Sequence, residues 1–392
     1  MAGMQDILKN YQDSNNKDIS KEEKNRENDN NFVSLSQMEA VKKAIAENLG
    51  STKNSLNSAV DSTPVDLEPE LALTPADFPK NGFFKTPHLD ENKLKEIQSQ
   101  DEIAANQLYL ELLRELGNVF QSIKDQKPLD PRSLEKYIEL IYDSITSGDF
   151  LLLKAIQHKR YAAWLISHSA NVAILAYKIG IDLKYDREML LKLGIAALLH
   201  DVGMLNVPNN IIFKHGQLTA SEFEIIKKHP LDGYEMVKHL EQYPHIIEVI
   251  LQEHEREDGS GYPQGLEGDK ISDFAKIVGL ADVFEAMVHG RAYREGFITY
   301  NAIQKIIEKR SKQFNPKIIR ALINSIPMFP IGSLVKLSTN EIARVLSVNS
   351  VRPVRPVVEI LIDSDGNKLK NPIRLDLEAE PLIYIAKPLA ES

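Results

Sequence analysis

The sequence lacks cysteine altogether, with none among its 392 residues. Disulfide bonds, thiolate metal sites and a cysteine nucleophile are therefore excluded. It also lacks a run of about 18 uninterrupted apolar residues, the length that a membrane-spanning helix needs. The first residues, MAGMQDILKNYQDSNN, contain no apolar segment of signal-peptide length. We therefore expect a cytoplasmic protein with no membrane span.

Basic residues are also fewer than acidic residues. The chain has 47 Lys and Arg against 56 Asp and Glu, a formal net charge of −9. Because phosphate backbones attract net-basic surfaces, this balance argues against DNA or an anionic membrane as a general partner. A local basic pocket stays compatible with it. The hydrophobic content of 43% is enough for at least one proper core.

Large apolar residues are scarce in the first quarter of the chain. Residues 1–95 are rich in Asn, Ser, Lys and Glu, which predicts a largely disordered or linker leader with one short helix over residues 36–49. Five prolines between Pro64 and Pro87 favour an extended linker. The following residues divide by pattern into an N-terminal helical region over 96–150, a helical domain over 151–328 and a small β-rich domain over 329–392.

Periodicity supports that division. Apolar residues recur at helical spacing from LYLELLRELGNVFQSI onward, and Asp130 with Pro131 is typical of a helix start. No alternating strand pattern occurs before Phe329. Beyond it, the runs IGSLVKL, EIARVLSV, PVVEILID, IRLDL and PLIYIAK are short, β-rich and separated by turn formers. The predicted fold is mainly α, with a small C-terminal β domain.

The stretch LLHDVGM ends an apolar helix predicted over 186–201, and Gly203 is a candidate stop. It places His200 and Asp201 side by side among apolar residues, although burying an unpaired carboxylate costs several kcal/mol. Further ionisable residues stand among apolar neighbours. They are His168, His229 at the end of EFEIIKKHP, His254 at the end of PHIIEVILQEH, and Asp282.

A lone buried histidine is most often a satisfied core residue. Four histidines and two aspartates on inward faces of one helical domain can satisfy one another only through protons or a metal. Nitrogen and oxygen donors without sulfur suit Fe, Mn, Zn, Co or Ni. Asp201, with two carboxylate oxygens, could bridge two ions held a few Å apart.

These residues resemble a known family. His200 and Asp201, flanked by His168 and Asp282, are similar to the motif of the HD phosphohydrolase superfamily. The sequence HEREDGSGYPQG from His254 to Gly265 resembles the signature loop of its HD-GYP branch. Supporting matches are LTASEFEIIKKHP, AKIVGLADVFEAM and RAYREG, and the β-rich tail resembles the extension that often follows this domain.

The resemblance implies an HD-type helical bundle that holds two divalent metal ions, Fe or Mn, and hydrolyses cyclic di-GMP with a metal-activated water. It assigns Asp201 to catalysis and to both ions. His168, His200 and Asp282 would complete one ion's ligands, and His229 and His254 the other's. The carboxylate of Glu253 could replace a family histidine as a further ligand of the second ion. The predicted substrate-binding residues are Gly261, Tyr262 and Pro263 of the signature loop, with contact to a protein partner as the alternative. Arg291 and Arg294, which follow the predicted Asp282 helix, are predicted to contact phosphates or a guanine base, with solvated surface positions as the alternative. A diguanylate cyclase or another signalling protein is the implied macromolecular partner.

Three positions depart from the family pattern. Met204 stands where a lysine usually follows HDxG, Glu253 precedes His254 where the family has a His-His pair, and Trp164 replaces a glutamate that binds a third metal in some members. Two readings follow for function: a phosphodiesterase that tolerates these changes, or a weak or inactive domain that acts as a cyclic di-GMP sensor or interaction module. A third reading is a scaffold with structural histidines.

Overall fold

The structure is a computed structural model that describes residues 100–157, 164–214, 216–289, 299–348, 352 and 354–389. The predicted leader, its short helix over 36–49, and Arg291 and Arg294 lie outside these residues. Within them the chain is mainly helical, with one antiparallel sheet near the C-terminus. The predicted fold class is confirmed.

Twelve α-helices are formed by the described residues, joined in places by short 3₁₀ turns. They are α1 Gln100–Lys124, α2 Glu135–Ser147, α3 Phe150–Gln157, α4 Trp164–Asp182, α5 Arg187–Leu199, α6 Asn209–Ile212, α7 Ala220–Ile226, α8 His229–Val237, α9 Pro244–Gln252, α10 Asp273–His289, α11 Thr299–Arg310 and α12 Pro316–Ser325.

Local sequence explains where several helices begin. The Asp130 side chain accepts a hydrogen bond from the Arg132 amide, and Pro131 opens the short turn that leads into α2, as the sequence predicts. Asp186 caps α5 by accepting from the Met189 amide at 2.8 Å. Both carboxylates satisfy backbone N–H groups that the first helical turn leaves without a partner.

Helix α4 is the centre of the helical domain. It is buried on nearly all faces and packs against α1, α3, α5, α10 and α12. Helix α5 packs in turn against α9, and α9 against α8 and α10. A helix that is apolar all round belongs in a core, so a polar residue on α4 faces other protein groups rather than water.

Three predicted helix ends are wrong. Helix α5 ends at Leu199, before His200 and Asp201, and the 3₁₀ turn Val202–Asn206 follows them. Gly203 lies inside that turn, where a Cβ atom would stand 1.9 Å from the carbonyl oxygen of His229. Its role is therefore to let this turn pack closely on the backbone that begins α8.

His229 begins α8 instead of ending the helix before it. The reason is Pro230, which is well tolerated in the first turn of a helix but cannot continue one. His254 similarly lies beyond α9, which stops at Gln252. Both histidines thus sit at chain turns, where neighbouring helices converge.

The C-terminal strands form one antiparallel sheet in the order β4-β3-β2-β1-β5. Their bounds are β1 Leu334–Leu337, β2 Ile342–Ser347, β3 Val357–Ile362, β4 Lys368–Asp376 and β5 Ile385–Leu389. Alternate side chains such as Val335, Ala343, Val345 and Val358 are buried, which is the period-2 pattern of a half-covered sheet. Among the described residues, no helix has both the length and the apolarity to cross a membrane.

Candidate metal centre

Five separate segments deliver the seven predicted metal ligands to one place. His168 comes from α4, His200 and Asp201 from the turn after α5, His229 from the start of α8, Glu253 and His254 from the turn after α9, and Asp282 from the middle of α10. All are buried except His254, which is half-buried.

The described residues form three groups of candidate ligand atoms. Two of these groups share no residue, and we name them the His168 cluster, formed by His168, His200 and Asp282, and the His229 cluster, formed by His229, Glu253 and His254. The third group, formed by His200, Asp201 and Glu253, joins the other two. In each group the candidate atoms lie within 4.8 Å of one another. That spacing allows three side chains to reach a single ion, since metal–ligand bonds of about 2 Å place neighbouring ligand atoms about 3 to 4 Å apart.

The His168 cluster is held by acid–base contacts. His168 Nε2 lies 3.2 Å from Asp282 Oδ1 and 3.6 Å from Asp201 Oδ2. On the other side of the ring, Nδ1 lies 2.7 Å from Glu285 Oε2. Glu285 therefore fixes the ring orientation and favours a proton on Nδ1, so that Nε2 can turn a lone pair to an ion.

His200 and His229 are oriented in the same way by backbone. His200 Nδ1 donates to the carbonyl oxygen of Ala197 at 2.7 Å, and His229 Nδ1 donates to that of Ile226 at 2.8 Å. Each ring thus presents Nε2 to the site. A second nitrogen tied to a carbonyl or carboxylate is the usual support of a metal-binding histidine.

Buried atoms without partners mark where an ion fits. Within the described part of the chain, no hydrogen-bond partner exists for His200 Nε2, His229 Nε2, both Glu253 carboxylate oxygens or His254 Nδ1. Native proteins rarely bury polar atoms unsatisfied, because each costs about 1–3 kcal/mol. Five such atoms around one point, all lone-pair donors of types that divalent metals accept, fit a metal centre.

Asp201 lies between the two clusters. Its Oδ2 atom faces His168, and its Oδ1 atom lies 3.4 Å from His229 Nε2. Glu253 also reaches across, with Oε2 at 3.6 Å from His200 Nε2 and Oε1 at 3.4 Å from His229 Nε2. Both carboxylates therefore have one oxygen for each side of the centre.

The helical segment that carries these residues has a recognised family. Residues 157–318 match the HD domain family, and residues 334–392 match the KOW domain associated with HD domain. The chain contains an HD domain. The His200–Asp201 pair at its centre and the His254–Gly265 loop resemble the HD-GYP branch of this family.

Curated relatives support the same family. The chain is 28% identical to a cyclic di-GMP phosphodiesterase of Pseudomonas aeruginosa, over 63% of this chain and 60% of that protein. It is 32% identical to the cyclic di-GMP phosphodiesterase PdeB of Borreliella burgdorferi, over 52% of this chain and 54% of that protein. A 3'3'-cGAMP-specific phosphodiesterase of Vibrio cholerae is 30% identical, over 55% and 56%. The chain thus spans less than two thirds of each of these relatives.

Among solved structures, an HDG"Y"P protein from Bdellovibrio bacteriovorus is 19% identical to this chain. The similarity covers 57% of this chain and 72% of that one, with a TM-score of 0.48.

Electrostatics in the HD domain favour cations at the centre. Burial lowers the pKa of His168, but the charges of Glu285 and Asp282 outweigh it and raise that pKa to about 10. Burial likewise opposes protonation of His229, whereas Glu253 and Asp201 raise its pKa to about 9. Without metal, both rings hold a proton at neutral pH, so an ion must displace protons in order to bind.

The pKa values of the remaining candidate ligands shift in different directions. Burial raises the pKa of Glu253. Burial also lowers the pKa of His254, and the neighbouring His229 lowers it further. The pKa of Asp282 falls because the hydrogen bond and charge of His168 outweigh burial. Asp282 thus stays charged and attracts a cation, whereas burial disfavours the charged form of Glu253, and His254 stays neutral and keeps a lone pair for an ion.

The signature loop, His254–Gly265, wraps one wall of the centre. The Tyr262 ring stacks on His254 with centroids 4.7 Å apart, and the Tyr262–Pro263 peptide bond is cis. A Cβ atom at Gly261 would lie 2.4 Å from the His254 carbonyl oxygen, so only glycine lets the loop fold back on this backbone. Gly261 is thus required for packing, and its predicted contact with substrate stays a prediction, as do those of Tyr262 and Pro263.

Two departures from the family pattern form an apolar wall. Met204 is buried with Trp164, Val207, Ile211 and Ile226 in a small hydrophobic cluster. Trp164 stacks on the His168 ring, with centroids 5.4 Å apart and the planes inclined by 12°. At these two positions, where the family pattern has charged residues, this chain has apolar side chains. Trp164 packs against the candidate ligand His168, and Met204 packs against Trp164.

Sequence reasoning missed the residues that support the ligands. Glu285 orients His168, and the Glu255 carboxylate accepts from the amides of Gln264 and Leu266 at 2.7 and 2.9 Å, which pins the signature loop. The sequence contains one feature that could have identified Glu285 as part of the site. Glu285 follows Asp282 by three residues in an apolar helix, so both carboxylates lie on the same helical face.

Proposed function

We propose that this chain is a metal-dependent cyclic di-GMP phosphodiesterase with two divalent ions. The observation that carries the proposal is the position of Asp201, whose two oxygens face histidines on opposite sides of the centre. A carboxylate between two ions a few Å apart is the arrangement used to clamp the attacking and leaving oxygens of a phosphate.

The ligand sets follow from the two clusters. His168, His200 and Asp282 would hold one ion with Asp201, and His229, Glu253 and His254 the other with Asp201. Two divalent ions would bring four positive charges to a centre that holds the carboxylates of Asp201, Glu253 and Asp282, with Glu285 behind His168. Glu253 in place of a histidine therefore reduces the positive charge offered to a phosphodiester anion, while its oxygens remain donors that Fe and Mn accept.

Imidazole together with carboxylate oxygen is a donor set that Fe and Mn accept, and the resemblance to the HD-GYP branch is the reason for choosing these two metals. When bound, the ions would polarise the phosphate oxygens and lower the pKa of a coordinated water. The chain's own contribution is to hold Nε2 of His168, His200 and His229 toward that place. Glu285 and the backbone carbonyls at Ala197 and Ile226 do this through Nδ1.

The substrate class comes from the relatives. Several are named for cyclic di-GMP and others for 3'3'-cGAMP, so a cyclic dinucleotide is the class, and cyclic di-GMP is the member we propose. Arg291 and Arg294 remain predicted contacts to its phosphates or guanine bases. A diguanylate cyclase or another signalling protein remains a predicted partner, and the division at residues 95, 150 and 328 a predicted domain organisation.

A sensor without turnover is the second candidate, because Met204 contributes packing where the family pattern has a cation. It would bind cyclic di-GMP saturably and release no product.

The test is hydrolysis of cyclic di-GMP by protein purified without oxygen and loaded with Fe(II) or Mn(II). We expect product from the wild type, and a loss of turnover of about 1000-fold or more in Asp201→Ala together with loss of metal. The matched control is Asp149→Ala, since the Asp149 carboxylate pairs with Lys178 and belongs to neither cluster. Turnover retained by Asp201→Ala would contradict the assignment, and ligand binding without any product would favour the sensor.

A further inference from the structure

A buried hydrogen-bonded chain links helix α1 to the candidate metal centre. It runs from Tyr109 on α1 through Asn171 on α4 and Glu285 on α10 to His168. All four side chains are at most 1% exposed. Helix α1 precedes residues 157–318, the part that matches the HD domain family, so this chain of contacts enters the centre from outside that domain.

The link nearest the centre is Glu285. One of its oxygens accepts from His168 Nδ1, and the other accepts from Asn171 Nδ2 at 3.1 Å. His289, one turn further along α10, also lies 3.2 Å from Glu285 Oε1. Because both oxygens of the Glu285 carboxylate are held by these contacts, the carboxylate cannot rotate freely. It therefore fixes the orientation of the His168 ring.

The middle link is the Asn171 amide. Its NH₂ group must point to Glu285, and its carbonyl oxygen must point away. Tyr109 fixes this choice, because its hydroxyl donates to Asn171 Oδ1 at 2.7 Å. With the amide reversed, carbonyl oxygen would face carboxylate, an arrangement without a proton to share.

The outer link is Tyr109 itself. Its ring belongs to the core formed by α1 and its neighbours, together with Leu112 and Leu116. A phenylalanine would pack in the same way, so packing alone does not explain the hydroxyl. Burying a hydroxyl is unfavourable unless it forms a hydrogen bond, and the Tyr109 hydroxyl forms one that orients Asn171.

We propose that Tyr109 is a positioning residue of the metal centre and that helix α1 thereby sets the affinity of the centre for metal. The inference rests on the proposed function only in requiring that the centre binds a divalent ion. It places residues outside the HD match in the machinery of the site. A shift of α1 along α4 would loosen Asn171, then Glu285, and finally the His168 ring.

The test measures the dissociation constant of Mn(II) at fixed pH in the absence of substrate, by the electron paramagnetic resonance signal of free Mn(II). Tyr109→Phe removes only the hydroxyl. Direct supports of metal ligands change affinity by about 10- to 100-fold, so we expect that range for Glu285→Gln and roughly three- to tenfold for the more distant Tyr109→Phe. The matched control is Tyr137→Phe on α2, also a buried tyrosine, which should change affinity by less than about twofold.

A double-mutant cycle separates positioning from general destabilisation. If Tyr109 acts through Glu285, then Tyr109→Phe in a Glu285→Gln background should change the Mn(II) affinity by less than about twofold, because the link is already broken. Asn171→Ala, which removes the middle of the chain, should weaken binding at least as much as Tyr109→Phe. It is the second variant if Tyr109→Phe folds poorly.

An unchanged affinity in Tyr109→Phe, or the same loss in both backgrounds, would overturn the proposal. A wild-type chain that binds no Mn(II) would overturn it together with the proposed function. A chain that binds Mn(II) but hydrolyses nothing would remove the proposed function alone, since every measurement of the cycle is made without substrate.

Discussion

The His168 cluster and the His229 cluster differ in what satisfies their polar atoms before a metal binds. His168 has carboxylates at both ring nitrogens, and only His200 Nε2 lacks a partner on that side among the described residues. In the His229 cluster, four side-chain atoms of His229, Glu253 and His254 lack one. The first cluster is therefore stabilised by close histidine–carboxylate pairs, whereas the second has only longer contacts of 3.4 Å from His229 Nε2 to Glu253 and Asp201 and leaves more buried polar atoms for an ion to satisfy.

Removing an acid from the first cluster should have the largest effect on the metal-free protein. Asp282→Ala leaves His168 Nε2 without its partner at 3.2 Å while Glu285 still pairs with Nδ1, and a buried polar atom that loses its partner costs up to about 3 kcal/mol. His254→Ala, the matched change in the other cluster, removes an atom that has no partner and should cost clearly less. Denaturant unfolding in the presence of a chelator measures both, and equal losses would erase the distinction between the clusters.

Restoring the family's lysine is a second way to probe the centre. Met204→Lys places an ammonium group in a hydrophobic cluster with Trp164, which should lower the free energy of unfolding by about 1–3 kcal/mol. If the cation reaches the site, KM for cyclic di-GMP should fall severalfold. Met204→Leu keeps the packing and should change neither quantity appreciably. A Met204→Lys variant with unchanged KM would show that this position does not face the substrate.

Neutralising Glu253 tests the dependence of the His229 cluster on metal. Glu253→Gln should stabilise the metal-free protein slightly, since burial disfavours the charged form, and should weaken metal binding by roughly tenfold. Glu253→His, which restores the usual pair, should bind metal about as well as the wild type. The measurements are thermal unfolding with chelator and metal titration. Tighter metal binding by Glu253→Gln would contradict the assignment of Glu253 as a ligand.

The smallest effect concerns a carboxyl outside both clusters. Glu248 on α9 is half-buried, and burial raises its pKa to about 7. Because the folded pKa lies above the unfolded value of about 4.5, its stabilising contribution is complete below pH 4.5 and is lost as the pH rises through 7. Glu248→Gln should therefore gain stability relative to the wild type between pH 5 and pH 8.

Melting temperatures at the two pH values, taken with chelator present, measure this gain. The difference between Glu248→Gln and the wild type should widen at pH 8. A difference that is the same at both pH values would show that Glu248 does not titrate in this range. The comparison also separates the pH response of the scaffold from that of the metal ligands.

Much of the site could be predicted because its residues are conspicuous in sequence. His200, Asp201 and Asp282 interrupt runs that are otherwise apolar, and buried charge needs a partner wherever the helices place it. The helical class and the β-rich tail followed from periodicity alone. What linked these residues into one centre was the family resemblance, since spacing along the chain says little about distance in space.

The rest depended on packing that no local pattern contains. Glu285 and His168 are 117 residues apart, and their contact exists only because α4 and α10 lie side by side at one register. In the sequence Tyr109 is typical of an ordinary core residue. The role of its hydroxyl becomes apparent only from the hydrogen bond to Asn171, which is distant in sequence. The start of α8 at His229 follows locally from Pro230, whereas the close approach of Gly203 to the His229 carbonyl oxygen is a tertiary effect.

The most direct test of the central claim is the number of divalent ions bound per chain, measured together with cyclic di-GMP hydrolysis on one sample loaded with Fe(II) or Mn(II) without oxygen. The account predicts two ions per chain and product formation, with both lost in Asp201→Ala because that carboxylate lies between the clusters. A fully folded chain that binds no ion, or that hydrolyses cyclic di-GMP equally well after complete chelation, would contradict it.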